Sequence, residues 1–85
     1  MLHDLKIEQK YADRILKESR TFDVRFNNQD FQVGDQIQYH VVKGVINEDH
    51  HRLNKKLFNI KYVYAGEGLK PGWVILGLSE IFERP

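Results

Sequence analysis

A chain of 85 residues without cysteine excludes disulfides, thiolate metal sites and Cys nucleophiles. It leaves room for one domain, residues 1–85, burying roughly 60 to 65% of the surface of its unfolded chain. Thirteen Lys and Arg against twelve Asp and Glu give a net charge of +1, so a polyanion would find only a local patch and no basic surface. No stretch approaches the roughly 18 apolar residues of a membrane span, and MLHDLKIEQ lacks the basic start and apolar run of a signal peptide. A cytoplasmic monomer without a membrane partner is the expectation.

The chain opens with Leu5 and Ile7 alternating with Asp4, Lys6 and Glu8, the period of a short strand. From Gln9 to about Ser19 the apolar positions Tyr11, Ala12, Ile15 and Leu16 gather on one helical face, and Lys10, Asp13, Arg14 and Lys17 point away. No Ser, Thr, Asp or Asn stands at the helix start, so tertiary packing must hold it. Phe22, Val24 and Phe26 then alternate with Thr21, Asp23 and Arg25, which predicts a strand with its rings inside and its charges on an exposed face. Asn27 to Asp30 favour a turn, after which Phe31 and Val33 are expected to re-enter the core.

Gln36 to Val42 reads as a strand with Ile37, Tyr39 and Val41 on one side and Gln36, Gln38 and His40 on the other. Lys43 to Lys56 is polar, carries both signs of charge and is expected to be a mobile loop. A further strand runs through Phe58, Ile60, Tyr62 and Tyr64. Gly66, Glu67 and Gly68 close it, and Pro71-Gly72 suits a type II turn. Trp73 to Leu78 is nearly all apolar and should be buried on both faces, with Gly77 marking a bulge or a close approach. The order is β-α-β-β-β-β, which predicts an α+β domain: a small barrel of about five strands with one main helix near the start.

Residues 3–7, the helix, Thr21 to Arg25, Asp30 to Asp35 and Leu69 to Gly77 together resemble the small ASCH-like domains of the PUA superfamily. The likeness covers nearly the whole chain apart from residues 43–56. The signature of that family reads Gly-x-Lys-x-x-Glu-x-Arg, and Glu18, Arg20, Asp23 and Arg25 stand at its four specified positions. Only Arg25 is identical, while Arg20 and Asp23 keep the charge. Where the relatives often read Asn-Asp-Arg this chain has Asn27, Asn28 and Gln29, and a basic position in the next strand is His40. The resemblance implies a PUA-like barrel with a cleft that binds RNA or a nucleotide.

Arg20, Asp23 and Arg25 form the sharpest constellation, because an Arg fork can grip a phosphate or stack on a base while a carboxylate orients it. With Lys17 and His40 they make the candidate ligand site, placed between the helix end and the Thr21 to Arg25 strand. The alternative for the same residues is a solvated strand face. His50, His51 and His40 lack metal-ligand spacing, and neither a metal nor another cofactor is expected. Tyr62, Tyr64 and Trp73 suit core packing or base stacking, and the small domain's need for buried area favours packing.

Some ASCH-like proteins are amidohydrolases that use the motif Lys. Arg20 stands there, and a guanidinium cannot act as base or nucleophile near neutral pH, so binding ranks ahead of hydrolase or ribonuclease activity. A protein-interaction adaptor working through Tyr and Trp is the third alternative.

Overall fold

The computed structural model of the chain describes residues 1–18 and 21–83, with 82 and 83 in backbone only. Among the described residues the α-helix and strands follow in order: β1 (Leu2–Glu8), α1 (Gln9–Lys17), β2 (Phe22–Phe26), β3 (Gln36–Lys43), β4 (Ile46–Asn47), β5 (Lys56–Tyr64) and β6 (Trp73–Glu83). The strands form one mixed sheet in the order β1-β3-β5-β6-β2, with the two-residue β4 alongside β3. β1 runs parallel to β3 and the remaining pairs are antiparallel. The sheet curls strongly into a half-barrel, so the expected one-helix α+β architecture is present at that level.

Burial follows the pleat on the concave side. His3, Leu5 and Ile7 stand directly opposite Ile37, Tyr39 and Val41, and all six are buried. Phe58 and Ile60 of β5 and Val74, Leu76 and Leu78 of β6 complete that lining. α1 covers it through Ala12 and Ile15, with Leu16 partly buried. Tyr11, expected on the packed face, is 42% exposed, because it sits in the first turn beside the cleft described below.

β2 inverts the expectation. Phe22, Val24 and Phe26 face outward, while Asp23 is buried at 7% exposure and Arg25 is partly buried. The register explains this: Asp23 lies opposite Leu76 and Arg25 opposite Val74, both residues of the concave lining. Hydrophobicity alone assigned the rings to the core, but the interior supplies partners for the charges. Val33 also departs from its expected place and is exposed, whereas Phe31 is buried against the His3 ring at 4.7 Å.

Residues 43–56 are not a plain loop. They hold β4 and a 3₁₀ turn, Arg52–Lys55, whose Leu53 is fully buried in the core. Asn54 fixes the segment, accepting from the Val41 N–H through Oδ1 and donating through Nδ2 to the Glu48 carbonyl. His51 accepts the Leu53 N–H at Nδ1 and donates from Nε2 to Asp13 Oδ1 at 2.8 Å, tying the turn to α1.

β6 continues to Glu83, past the expected end at Leu78, and its first residues are not buried on both faces: Trp73 is exposed and Ile75 partly so, while Val74, Leu76, Gly77 and Leu78 are buried. The Lys70–Trp73 turn has Gly72 at φ 84° and a Trp73 N–H to Lys70 carbonyl bond of 3.0 Å, the type II geometry expected. At Gly77 a side chain would fall inside the ring of Tyr62, so the close approach there admits no Cβ.

Candidate ligand cleft

β1 and β2 stand at opposite ends of the strand order, and the curl brings both to one cleft of about 820 Å³. Each presents to it the backbone edge that pairs with no other strand among the described residues. The Met1 carbonyl accepts from Gln36 N–H, so alternate groups of β1 serve β3 and those of Asp4, Lys6 and Glu8 turn toward the seam. In β2 the Thr21 carbonyl and Asn27 N–H bond to Leu78 and Gly72, so Thr21 to Asn27 pair with β6 through odd-numbered residues, and Val24 turns its backbone groups outward.

Arg25 spans the seam. Its Nε donates to Asp23 Oδ2 at 2.7 Å and its Nη2 to the Lys6 carbonyl at 3.0 Å, while Cζ lies 5.7 Å from the centre of the Tyr39 ring. The Tyr39 hydroxyl donates to the same Asp23 oxygen at 2.8 Å. One carboxylate oxygen thus holds a guanidinium and a buried phenol, and Asp23 Oδ1 has no hydrogen-bond partner among the described residues. A ligand that offers an N–H or an amine in the cleft would find an acceptor whose orientation is already fixed.

The rim is aromatic. Phe26 and Trp73 meet edge to face at 6.1 Å, and Tyr11 faces the cleft from the start of α1. Asn28 and Gln29 of the turn after β2 add amide groups. The charged lining residues are Asp4, Glu8 and Asp23 against Lys6 and Arg25, and Arg25 is already engaged by Asp23. This balance does not favour a groove that tracks phosphates; it suits a planar ring with donor groups.

Of the residues singled out from the sequence, Asp23 and Arg25 come together in this cleft. Lys17 ends α1 on the surface and is not among the described residues lining the cleft; it is the start of the helix, Glu8 to Tyr11, that borders the site. His40 lies on the convex side of β3, where its Nε2 meets Asp4 Oδ1 at 3.0 Å. Arg20 lies outside the described residues. The sequence reading passed over Tyr39, whose hydroxyl on an otherwise apolar face was a signal that a buried polar partner existed. It also passed over Lys6, which contributes through its backbone carbonyl, a group that side-chain identity does not reveal.

A second polar cluster positions the turn. Buried His3 donates from Nε2 to Asp35 Oδ2 at 2.8 Å, and its Nδ1 lies 2.9 Å from the amide oxygen of Gln29. The His3 hydrogen bond, helped by the Gln32 N–H, lowers the Asp35 carboxyl from 3.8 to about 2. A lowered carboxyl stabilises the fold above its unfolded pKa, and that contribution fades as pH falls from about 3.8 toward 2. Asp35→Asn should therefore be less stable than the natural protein at pH 6 and converge with it near pH 2, as urea titrations across that range would record. A constant gap between the two proteins across that range would show that Asp35 ionisation carries none of the difference.

Residues 2–78 match the family model described as Domain of unknown function (DUF3850). The chain belongs to that family. No curated protein matches it. In this DUF3850 domain the match spans all of the cleft: β1, the start of α1, β2 with its turn, and Trp73.

Proposed function

We propose that the domain binds RNA or a nucleotide, with a base seated in the β1/β2 cleft and its phosphate directed outward. The observation that carries this reading is Asp23, buried, oriented by Tyr39 and Arg25, and left with one oxygen for a ligand donor beside an aromatic rim. The sequence resemblance to ASCH-like domains of the PUA superfamily supports it independently, since it implies a barrel with a nucleotide or RNA cleft. The charge balance of the lining refines the expectation that Arg20, Asp23 and Arg25 grip a polyanion: the recognised group is the base, and Lys6 is the cation left to meet a phosphate.

Titration of isotope-labelled protein with short single-stranded RNA, single-stranded DNA and free nucleotides tests this. Resonances of Lys6, Asp23, Arg25 and Trp73 should shift, with an affinity falling only about as the first power of salt, a slope near −1 for one or two phosphate contacts. Trp73→Ala should weaken binding roughly 5- to 150-fold if the indole stacks on a base, from about 1 to 3 kcal/mol per stacked ring. Shifts confined to residues 43–56, or binding unchanged by Arg25→Ala, would place the ligand elsewhere.

A further inference from the structure

One residue that borders the cleft has its hydrogen-bonding sense decided outside it. Gln29 lies on the turn after β2, and its amide reaches back to His3 of β1. The turn holds it there: Asn27 Oδ1 accepts the Phe31 N–H at 3.0 Å, and Asp30 stands in the left-handed region at φ 50°, which Asp tolerates better than most residues. Phe31 in turn packs its ring on His3.

Both ring nitrogens of His3 face acceptors. Nε2 lies 2.8 Å from Asp35 Oδ2 and Nδ1 lies 2.9 Å from Gln29 Oε1. A carboxylate only accepts, which fixes a proton on Nε2; an amide oxygen also only accepts, so this arrangement needs a second proton, on Nδ1. Gln29 Nε2 then has no hydrogen-bond partner among the described residues and is left to the cleft. Loss of the Nδ1 proton sets one acceptor against another. The ring cannot turn to relieve this, being 2% exposed, packed by Phe31 and bonded to Asp35. The exposed Gln29 amide can, about the broad, twofold torsion at the end of its chain.

We infer that the proton on His3 Nδ1 sets the sense of the Gln29 amide at the cleft: with the proton present Gln29 offers a ligand its N–H, and with the proton lost the amide turns and offers its carbonyl oxygen. The groups facing His3 leave it as the member that changes. Asp35 stays ionised through the neutral range, its carboxyl lowered to about 2, and the Met1 ammonium meets its other oxygen at 3.1 Å. Ile37, opposite His3 on β3, and Phe31 are apolar, and Asp30 of the turn accepts from Gln32 Nε2 at 2.9 Å. Asp23 Oδ1 already offers the cleft an acceptor. With His3 doubly protonated the cleft adds a donor to it, and so holds both senses that a base edge with an amine beside an acceptor requires. Without that proton it holds two acceptors, and such an edge is matched less well. That the switched group meets a base rests on the cleft reading above; the reversal of the amide does not.

Proton–nitrogen correlation spectra of the labelled natural protein from about pH 5.5 to 8.5, within which histidines as a class change charge, read both partners without a ligand. The His3 ring should pass from two protons to the Nε2–H tautomer, and the Gln29 side-chain nitrogen should shift with the same midpoint. Acetylation of the Met1 amine should leave both curves in place. A mixed-sequence single-stranded RNA hexamer without terminal phosphates, whose own groups keep their charge over most of this range, should bind roughly three- to tenfold more tightly at the acid end, the worth of one hydrogen bond. Gln29→Leu, a change at an exposed position, should reduce that ratio to about twofold or less while His3 still titrates. A His3 ring that keeps one protonation state, a neutral ring protonated at Nδ1, a Gln29 nitrogen that ignores the ring, or curves lost on acetylation would overturn the inference. An RNA affinity whose pH dependence survives in Gln29→Leu would overturn it as well. RNA that binds at no pH would instead end the cleft reading, and the ligand-free spectra would still decide the reversal.

Discussion

Asp23→Ala is expected to lower the unfolding free energy by about 3 kcal/mol, at the lower end of what removing one partner of a buried ion pair costs, because Arg25 keeps some contact with water. The change takes an acceptor from two groups at once. The Tyr39 hydroxyl, on a ring with no measurable exposure, loses the acceptor at 2.8 Å, and the Arg25 guanidinium loses the carboxylate that holds it at 2.7 Å. Arg25 would then be held by the Lys6 carbonyl, and the seam between β1 and β2 would loosen where a ligand is proposed to enter. Asp23→Asn keeps an acceptor for the phenol and should cost about half as much, on the order of one or two hydrogen bonds. Urea denaturation of the two variants, read with an unchanged dependence on urea, separates them. A loss below about 0.5 kcal/mol for Asp23→Ala, the range of ordinary surface changes, would mean that the carboxylate behaves as surface.

Leu53→Ala should cost a further large amount, about 3 kcal/mol, as a buried Leu truncation does when its surroundings cannot collapse into the space. The residue belongs to a polar stretch with no periodicity, yet it is fully buried beneath the 3₁₀ turn Arg52–Lys55. The turn cannot easily follow the lost volume inward. His51 fastens its start to Asp13 of α1, and Asn54 is bonded to Val41 and Glu48. Accelerated hydrogen exchange at the Val41 amide should accompany the loss of stability, since that N–H bonds to Asn54 Oδ1. A variant within about 0.5 kcal/mol of the natural protein would restore the view of residues 43–56 as an open loop.

How much was legible from the sequence differs by element. Ile37, Tyr39 and Val41 were correctly set on one side of β3, because three apolar residues at a period of two admit one inward face when the strand is central and paired on both sides. The same rule failed at β2. Phe22-Asp23-Val24-Arg25-Phe26 alternates just as cleanly, but the strand is an edge, and its inward row found a phenol, a carbonyl and each other. Alternation reports that a strand has two unlike faces; it does not report which one is inside when the polar face can be satisfied there. Leu53 was missed for a related reason, as one apolar residue among polar neighbours leaves no periodic trace.

The sequence by itself determined the helix after the first strand and the type II turn at Pro71-Gly72, and it marked Gly77 as a bulge or a close approach. Each of these depends on near neighbours or on the local chemistry of the backbone. It also marked Asp23 and Arg25 as the residues to watch. Only the tertiary structure decided that they point into the molecule, that β1 and β2 share a cleft, and that Phe22, Phe26, Tyr62, Tyr64 and Trp73 stand in water. Those outcomes depend on how far the sheet curls and which strands end as edges, and both are set by packing among residues distant in sequence rather than by any local pattern.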